Sequence, residues 1–392
     1  MKDKAKNFIK NLSNLPVKFK WTFIMCVVFA VLSASITTGV LYGKLGGRSG
    51  FKTAQTLMEM TNAITDNYIG EADMAAMKNA AGSAMIGSLG DKWSYYMSPS
   101  EYDAYKLHSA NEYAGIGITL VKDEKTGGFK ISSVKENTPA QKAGLTAGLV
   151  IVSVDGEDTT SLTVDGIREL IQSKVNSVIK LGVADGKDVK EYSVDCSVIY
   201  SNPVSYELKE NSVGYVKIAN FDAGSGEASI NAVESLIAQG AKSLLFDVRG
   251  NGGGFLSELI KILDYLLPEG DLFVSVDKDG NRSVTKSDNV CLEMKMAVLI
   301  NESTYSAAEY FAAVLSEYGW ASTVGAPTTG KGRSQTTIEL SDGSAVHISN
   351  RTYLTPNGVD LAAQGGITPD VPAYNTDDKN DVQLFKAMDI LY

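Results

Sequence analysis

The apolar residues of the chain follow different spacings in successive regions, and each spacing predicts a different kind of structure. The first region, WTFIMCVVFAVLSASITTGVLY, occupies residues 21–42 without a formal charge. As a helix it would be about 33 Å long, and the hydrocarbon core of a bilayer is about 30 Å thick. We therefore expect a transmembrane anchor at residues 21–42.

Residues 51–106 have a helical pattern, in which Met, Leu, Ile and Ala recur at intervals of three and four positions. Gly70 and the turn-rich GDKWSYYMSPSEY interrupt this pattern. Two or three amphipathic helices are predicted. Their apolar faces would either cover a domain of the same chain or pair with a second subunit, so a homodimer is one of two alternatives.

Short β-type runs replace the helical pattern from Tyr113 onward. GIGITLV, FKISSV, VIVSVDG and SVIKLGV are separated by turns, whereas PAQKAGL and VDGIRELIQSK have helical spacing. This pattern predicts a compact module of five strands and two helices over residues 113–183.

Strands and helices alternate over residues 197–375. VGYVKIANF, SLLFDVRG and MAVLINES are typical of strands, and EASINAVESLIAQG, FLSELIKILDYLL and AAEYFAAVLSEYG are typical of helices. Alternation of this kind predicts a sheet with covering helices, so the whole chain is expected to be an α/β multidomain protein. Residues 376–392 should end it as a short helix.

The net charge of −10 is unevenly distributed along the chain. Residues 1–20 hold six lysines and one aspartate, so the rest of the protein is strongly acidic, which argues against a nucleic-acid partner. Lysines in front of an apolar helix favour a cytoplasmic N-terminus and an exported remainder. The alternative is a cleaved signal peptide, because LSASI offers small residues near a cleavage site.

Ser306 is a candidate nucleophile, because it directly precedes the predicted helix AAEYFAAVLSEYG, whose positive N-terminal end would favour a developing alkoxide. A Ser-His-Asp system needs a histidine, and the chain has only two. His108 is expected at the surface and His347 in a strand. Without a HExxH-type pair, neither a metal nor another cofactor is expected.

A lysine can replace histidine as general base when burial lowers its pKa enough to leave the amine neutral. Lys331 is the candidate, since it stands between Gly330 and Gly332 and follows Ser306 by 25 residues. Gln335 is placed to hold the lysine amine by a hydrogen bond.

Two groups of motifs resemble known families. GIGI, TPAQKAGL and GLVIVSVDG resemble the motifs of a PDZ domain. STYSAAE and TGKGRSQ resemble SxSxSE and FGKGxxQ of the carboxyl-terminal processing peptidases, also called tail-specific serine proteases, with Ala308 and Thr329 as departures. FDVRGNGGGF resembles their DLRxNxGG, and SLGDKWSYYMSPSEY resembles their SLGDPYSxYLxPEE.

These resemblances imply a PDZ domain followed by a peptidase domain of the ClpP/crotonase-like type, and they imply a role for each matching residue. The catalytic group would be the Ser-Lys dyad of Ser306 and Lys331 with Gln335. The oxyanion hole would use the backbone N–H of Ala307 and of Gly253 or Gly254, and Arg249 and Glu309 would have supporting roles. The PDZ domain would receive a peptide carboxylate at Gly115, Ile116, Gly117 and Ile118.

The expected function is that of a serine endopeptidase anchored in a bacterial cell membrane by a single helix, with a cytoplasmic N-terminus and an extracytoplasmic catalytic domain. Proteins or peptides would be its substrates, bound at their C-termini or as extended segments. A PDZ adaptor that binds peptides without cutting them is the alternative, and a protease inhibited by its own PDZ domain is an intermediate case.

Overall fold

The computed structural model describes residues 17–44, 46–185, 188–375 and 380–392. The chain divides into a helical unit that ends at Ala81 and a larger unit from Gly82 to Tyr392. Most of the predicted basic segment, residues 1–16, and residues 376–379 of the predicted tail lie outside the described residues.

The N-terminal part of the chain is helical. Helix α1 is Val17–Lys44, α2 is Gly47–Asn67 and α3 is Met74–Gly87. Within α1, Trp21–Lys44 is long and apolar enough to cross a membrane, and a signal sequence has the same properties. None of the side chains of α2 is buried, so the apolar face of this amphipathic helix is exposed.

The PDZ-like module is a seven-stranded sheet with two helices. The strands are β2 (Glu112–Gly115), β3 (Ile118–Lys122), β4 (Phe129–Val134), β5 (Val150–Val154), β6 (Glu157–Asp158), β7 (Ser177–Asp185) and β8 (Asp188–Tyr200), and the helices are α5 (Pro139–Lys142) and α6 (Val164–Gln172). The order is β2-β8-β7-β5-β4-β3, with β6 paired to β5. Strand β3 is therefore an edge strand, and its outer side is available to an added strand.

The predicted end of this module at residue 183 needs correction, because it falls inside β7. Strand β8 forms a hairpin with β7, in which Asp188 to Cys196 are paired, and its last residues pair with β2, where Tyr200 lies opposite Glu112. The module thus extends to Tyr200. The predicted boundary missed β8 because it cut this hairpin inside its first strand, and the pairing of the last four residues of β8 is with a strand far away in the sequence.

The region after the module contains a six-stranded sheet in the order β18-β15-β14-β11-β10-β9. Its strands are β9 (Val204–Leu208), β10 (Val213–Ile218), β11 (Ser243–Asp247), β14 (Lys295–Ile300), β15 (Ala321–Gly325) and β18 (Val371–Pro372). All neighbours are parallel except β9 and β10. Helices α7 (Ser225–Ala238), α8 (Leu256–Leu266) and α9 (Ala307–Glu317) pack on one face, and α11 (Val382–Leu391) packs on the other.

A second sheet of five strands borders a cavity that is also lined by Ser306. It contains β1 (Tyr95–Met97), β12 (Gly270–Asp277), β13 (Arg282–Ser287), β16 (Arg333–Glu339) and β17 (Ala345–Leu354). Helix α4 is Pro99–Ser109 and helix α10 is Leu361–Gln364. Strand β1 precedes the PDZ-like module in the chain and pairs with β17, which places Tyr95 opposite His347. The segment around β1 is therefore part of the peptidase region.

Candidate active site

Ser306 occupies a strained backbone turn between β14 and α9. Its φ of 58° and ψ of −128° lie in a region that residues other than glycine rarely adopt. Residues Ala307 to Leu315 of α9 are all buried, so the helix that follows the turn is firmly packed. Strain of this kind costs about 1 to 3 kcal/mol and persists where the surrounding structure enforces it, often at functional sites.

The glycine loop, residues 250–255, follows β11 and passes directly beside Ser306. A Cβ on Gly253 would lie 2.7 Å from Ser306 Cβ, and one on Gly254 would lie 2.2 Å from the Phe221 carbonyl carbon. Both glycines have positive φ values, +95° and +148°. Only glycine therefore fits at these two positions, because the loop is held between the nucleophile and the backbone at Phe221.

The hydrogen bonds of this loop distinguish the two candidate oxyanion donors. The Gly253 N–H donates to Asn251 Oδ1 over 2.8 Å. Among the described residues, the Gly254 N–H and the Ala307 N–H have no hydrogen-bond acceptor. This pattern favours Gly254 over Gly253 as a donor that is available to a substrate.

Glu309 connects the nucleophile helix to the loop that carries Lys331. Its buried carboxylate accepts hydrogen bonds from the backbone N–H of Gly330 at 2.7 Å and of Lys331 at 2.9 Å, and from the Thr328 hydroxyl. Burial raises the pKa of Glu309, while these bonds oppose the shift. Because Glu309 lies in the first turn of α9, it fixes the lysine loop relative to Ser306.

Lys331 is 9% exposed, and burial lowers the pKa of its amine to about 8, against the opposing charge of Asp91. Its Nζ atom lies 4.6 Å from the ring centroid of Trp93 and 5.9 Å from that of Tyr305. Lys331 and Ser306 line the same cavity. No hydrogen bond joins Lys331 Nζ to Ser306 Oγ in the described part of the chain.

Tyr353, on β17, is a site residue that the sequence did not reveal. Its hydroxyl donates to the Lys331 carbonyl oxygen. Burial raises the pKa of Tyr353, and a hydrogen bond with Ser306 opposes that shift. The buried phenol therefore contacts both residues of the candidate dyad. In the sequence, the alternation of polar and apolar residues predicted that Tyr353 lies in a strand but gave no sign that it belongs to the site.

Two predicted residues do not contact the lysine amine. The Gln335 amide nitrogen donates to the Arg333 carbonyl oxygen and to Ser349 Oγ, each over 3.0 Å. Gln335 lines the cavity, but among the described residues its amide oxygen accepts no hydrogen bond from Lys331 Nζ, so the expected bond is not formed. Arg249 lies outside the cavity lining and pairs with Asp247 and with Asp381 near α11. Its role is to fasten the C-terminal helix to the start of the glycine loop.

The cavity has a volume of about 780 Å³, and both histidines border it. Burial and the charge of Lys331 lower the pKa of His347 to about 4, and its Nδ1 lies 2.8 Å from Thr337 Oγ1. The His108 side chain is 78% exposed and lies 3.5 Å from Asp222. Neither the histidines nor Lys331 form a hydrogen bond with Ser306 in the described structure; Lys331 is the base candidate because Glu309 fixes its loop to the nucleophile helix.

A second cavity, the PDZ groove, has a volume of about 440 Å³ and lies between β3 and α6. Residues 113–120 line one side, and Val164, Arg168, Ile171 and Gln172 line the other. Gly117 has a φ of +89°, and a Cβ there would lie 2.3 Å from Thr138 Cβ. The four predicted peptide-binding residues all border this groove, beside the open edge of β3.

Residues 212–373 match the model of peptidase family S41, and residues 130–185 match the PDZ domain model. Together with the fold, these matches define a serine-type peptidase that carries a PDZ domain. The expected α/β multidomain fold is confirmed, and so is the resemblance to carboxyl-terminal processing peptidases.

Relatives are similar over most of the chain. A "Probable CtpA-like serine protease" of Staphylococcus haemolyticus is 28% identical over 369 residues, which cover 91% of this chain and 74% of the relative. One from Staphylococcus epidermidis is 27% identical over 372 residues, with 92% and 75% covered. Among solved structures, the photosystem II D1 C-terminal processing protease has a TM-score of 0.50 and 26% identity, and the match covers 88% of this chain and 92% of that one.

Proposed function

We propose that this serine peptidase is a membrane-anchored endopeptidase in which Ser306 is the nucleophile and Lys331 the general base. The observation that carries the proposal is a cavity that both residues line: Ser306 is a strained serine at a helix N-terminus, and Lys331 is a buried lysine with a pKa of about 8. At neutral pH about a tenth of such an amine is uncharged, whereas a lysine of ordinary pKa would be almost entirely protonated.

The reaction follows the chemistry of an activated nucleophile. Neutral Lys331 takes the proton of the Ser306 hydroxyl as the serine oxygen attacks a substrate carbonyl carbon. The developing oxyanion accepts hydrogen bonds from the N–H groups of Gly254 and Ala307. Protonated Lys331 then donates its proton to the leaving amine, and water hydrolyses the acyl-enzyme by the same route.

Other residues of the site act through position. Glu309 keeps the lysine loop against the nucleophile helix, and Tyr353 joins the two candidate groups. Gln335 borders the same cavity, and we assign it an assisting role once its side chain turns from Ser349 toward the amine. Arg249 supports the glycine loop from outside the cavity.

Substrates of this peptidase are proteins or peptides, and we propose that the PDZ groove captures their C-terminal or extended segments. A strand added to the edge of β3 would satisfy its free backbone groups, and the turn through Gly115, Ile116, Gly117 and Ile118 would receive a carboxylate. Such binding holds an extended chain while another part of it reaches Ser306. The role would be C-terminal processing or regulatory proteolysis.

The proposed location is a bacterial cell membrane, with α1 as a single-pass anchor and the catalytic region outside the cytoplasm. The length and apolar composition of Trp21–Lys44 support an anchor, and the preceding lysines support a cytoplasmic N-terminus. The exposed apolar residues of α2, which include Leu57, Met58 and Met60, support the further proposal that two copies pair through this helix.

The function is tested by incubating the full chain, in detergent micelles, with an unfolded protein. Ser306→Ala and Lys331→Ala should each abolish cleavage, whereas Ser303→Ala, an exposed serine in the same loop, should leave it intact. Undiminished cleavage in either of the first two variants would refute the dyad. A parent protein that binds peptides in its PDZ groove and never cleaves would favour the adaptor.

A further inference from the structure

Two aromatic rings lie close to the Lys331 amine. Trp93 and Tyr305 face the Nζ atom at 4.6 Å and 5.9 Å, and their own ring centroids are 5.6 Å apart with a tilt of 32°. We call these two residues the aromatic pair. A cation over such ring faces is attracted to the negative face of the π system, which does not attract a neutral amine in the same way.

Hydrogen bonds hold the backbone at both aromatic residues. The Trp93 N–H donates to Asp91 Oδ1 at 3.1 Å, and the neighbouring Ser94 hydroxyl accepts from the Ser349 N–H at 2.9 Å, which ties this turn to β17. On the other side, the Tyr305 N–H donates to the Asn251 carbonyl oxygen at 3.2 Å. These bonds fix the backbone positions from which the two rings reach the amine.

The charged and titratable groups around the amine and the Trp93 ring come from four parts of the chain. The neighbouring Lys92 places its Nζ atom 4.5 Å from the Trp93 ring centroid, so this ring faces two ammonium groups. Asp91, in the Trp93 turn, favours the protonated amine, and the charge of Lys331 in turn lowers the pKa of His347 on β17. The Glu309 carboxylate of α9 is occupied by backbone N–H groups, and the Tyr353 phenol is occupied by the Lys331 carbonyl oxygen. No carboxylate forms an ion pair with Lys331 in the described structure.

We propose that Trp93, together with Tyr305, is a positioning residue for the general base: the aromatic pair holds the protonated Lys331 amine away from Ser306 and releases it when the amine loses its proton. The proton passes to solvent, and the neutral amine then swings to accept the Ser306 proton. This inference rests on the proposed function, since it assigns a resting position to the base of that reaction.

The absence of a Lys331–Ser306 hydrogen bond follows directly from this arrangement. A protonated amine cannot accept the serine proton, so a position on the rings keeps the unproductive form apart from the nucleophile. Trp93 supplies an indole ring, which binds cations better than a phenol does, so Trp93 should contribute more than Tyr305 to the hold on the amine.

The decisive experiment weakens the attraction of the Trp93 ring face for a cation with little change in the shape of the ring. Tryptophan with one, two or three fluorine atoms is placed at position 93 of the full chain, and kcat/KM is measured against pH with an unfolded protein substrate. Fluorine withdraws electrons, so the acid limb of the profile should move stepwise to lower pH, by about 0.5 to 1 unit in total. Cleavage on that limb should then rise about three- to tenfold.

A second measurement follows the protonation of the Lys331 amine without using catalysis. In a Ser306→Ala background, the rate of Lys331 acylation by a small reagent is followed against pH by mass spectrometry of the lysine peptide. The titration midpoint should fall along the same fluorine series. The same fluorotryptophans at position 320 are the matched control, because the Trp320 indole N–H donates to the Leu292 carbonyl oxygen and Trp320 does not line the cavity; they should leave the midpoint near that of the parent.

The outcomes separate the two hypotheses. If Lys331→Ala still cleaves, the proposed dyad fails, whatever the labelling shows. If Lys331→Ala is inactive but neither the acid limb nor the labelling midpoint moves along the fluorine series, the dyad stands and the role of the aromatic pair is refuted. A shift to higher pH along the series would refute it equally.

Discussion

The substitution Gly253→Ala tests most directly the contact between the glycine loop and the nucleophile. The added Cβ would lie 2.7 Å from Ser306 Cβ and 2.9 Å from the Ala307 nitrogen. Carbon atoms pack at about 3.5 to 4.0 Å, so the loop and the nucleophile turn must separate by about 1 Å. The φ of +95° adds a further cost of about 1 to 2 kcal/mol for a residue with a side chain.

A separation of this size would move the Gly254 N–H away from the reacting carbonyl. Loss of one oxyanion donor typically lowers kcat by a factor of about 100 to 1,000. We expect a decrease of this size for Gly253→Ala with little change in KM, because the PDZ groove lies at other residues and keeps its shape.

Gly250→Ala is the matched control, since Gly250 lies in the same loop with a φ of +74° and no atom within 4 Å of the added Cβ. Steady-state cleavage and urea unfolding should be measured for both variants. The control should lose about 1 to 2 kcal/mol of unfolding free energy and keep most of its kcat. Equal kcat values for the two variants would show that the loop does not approach the nucleophile as described.

Three further predictions concern the base, the C-terminal helix and the PDZ groove. The folded-state pKa of Lys331, about 8, lies below its ordinary 10.5, so the unfolded chain binds this proton more tightly. The resulting penalty on folding stability is complete below about pH 8 and disappears as the pH rises to about 10.5. Lys331→Met should therefore abolish cleavage yet raise the unfolding free energy at pH 7 by about 2 kcal/mol. A Lys331→Met protein less stable than the parent would contradict this. Asp381→Asn weakens the pair with Arg249 and should lower stability by about 1 to 3 kcal/mol, with faster hydrogen exchange in α11; exchange unchanged from the parent would argue against this fastening. Gly117→Ala should weaken peptide binding and raise KM with kcat unchanged, whereas Gly144→Ala, at a φ of +80° with open space around it, should bind like the parent; equal affinity in the two would exclude the turn as a carboxylate site.

Local sequence patterns were sufficient for much of the fold. Helices α7, α8 and α9 and strands β10, β11 and β14 lie where hydrophobic spacing predicted them. Periodicity succeeds there because each element buries one face of its own local sequence. It failed for β1, because its partner strand β17 is remote in the chain, and it placed the end of the PDZ-like module inside the β7–β8 hairpin, whose last residues pair with the distant β2.

The sequence, through its resemblance to the processing peptidases, predicted Ser306, Lys331, Glu309 and the glycine loop as parts of one site, because each lies in a short motif that is readable without the fold. Tertiary structure alone showed that Gly253 donates to Asn251 and that Gln335 does not contact the amine.

Tertiary structure also places Trp93 and Tyr353 beside Lys331, although they lie in a turn and a strand that are far from it in the chain. The physical reason is that a motif specifies which groups are present, whereas burial, hydrogen-bond competition and ring contacts arise only when separate segments pack together. Those packing contacts determine where the lysine amine rests and how readily it loses its proton.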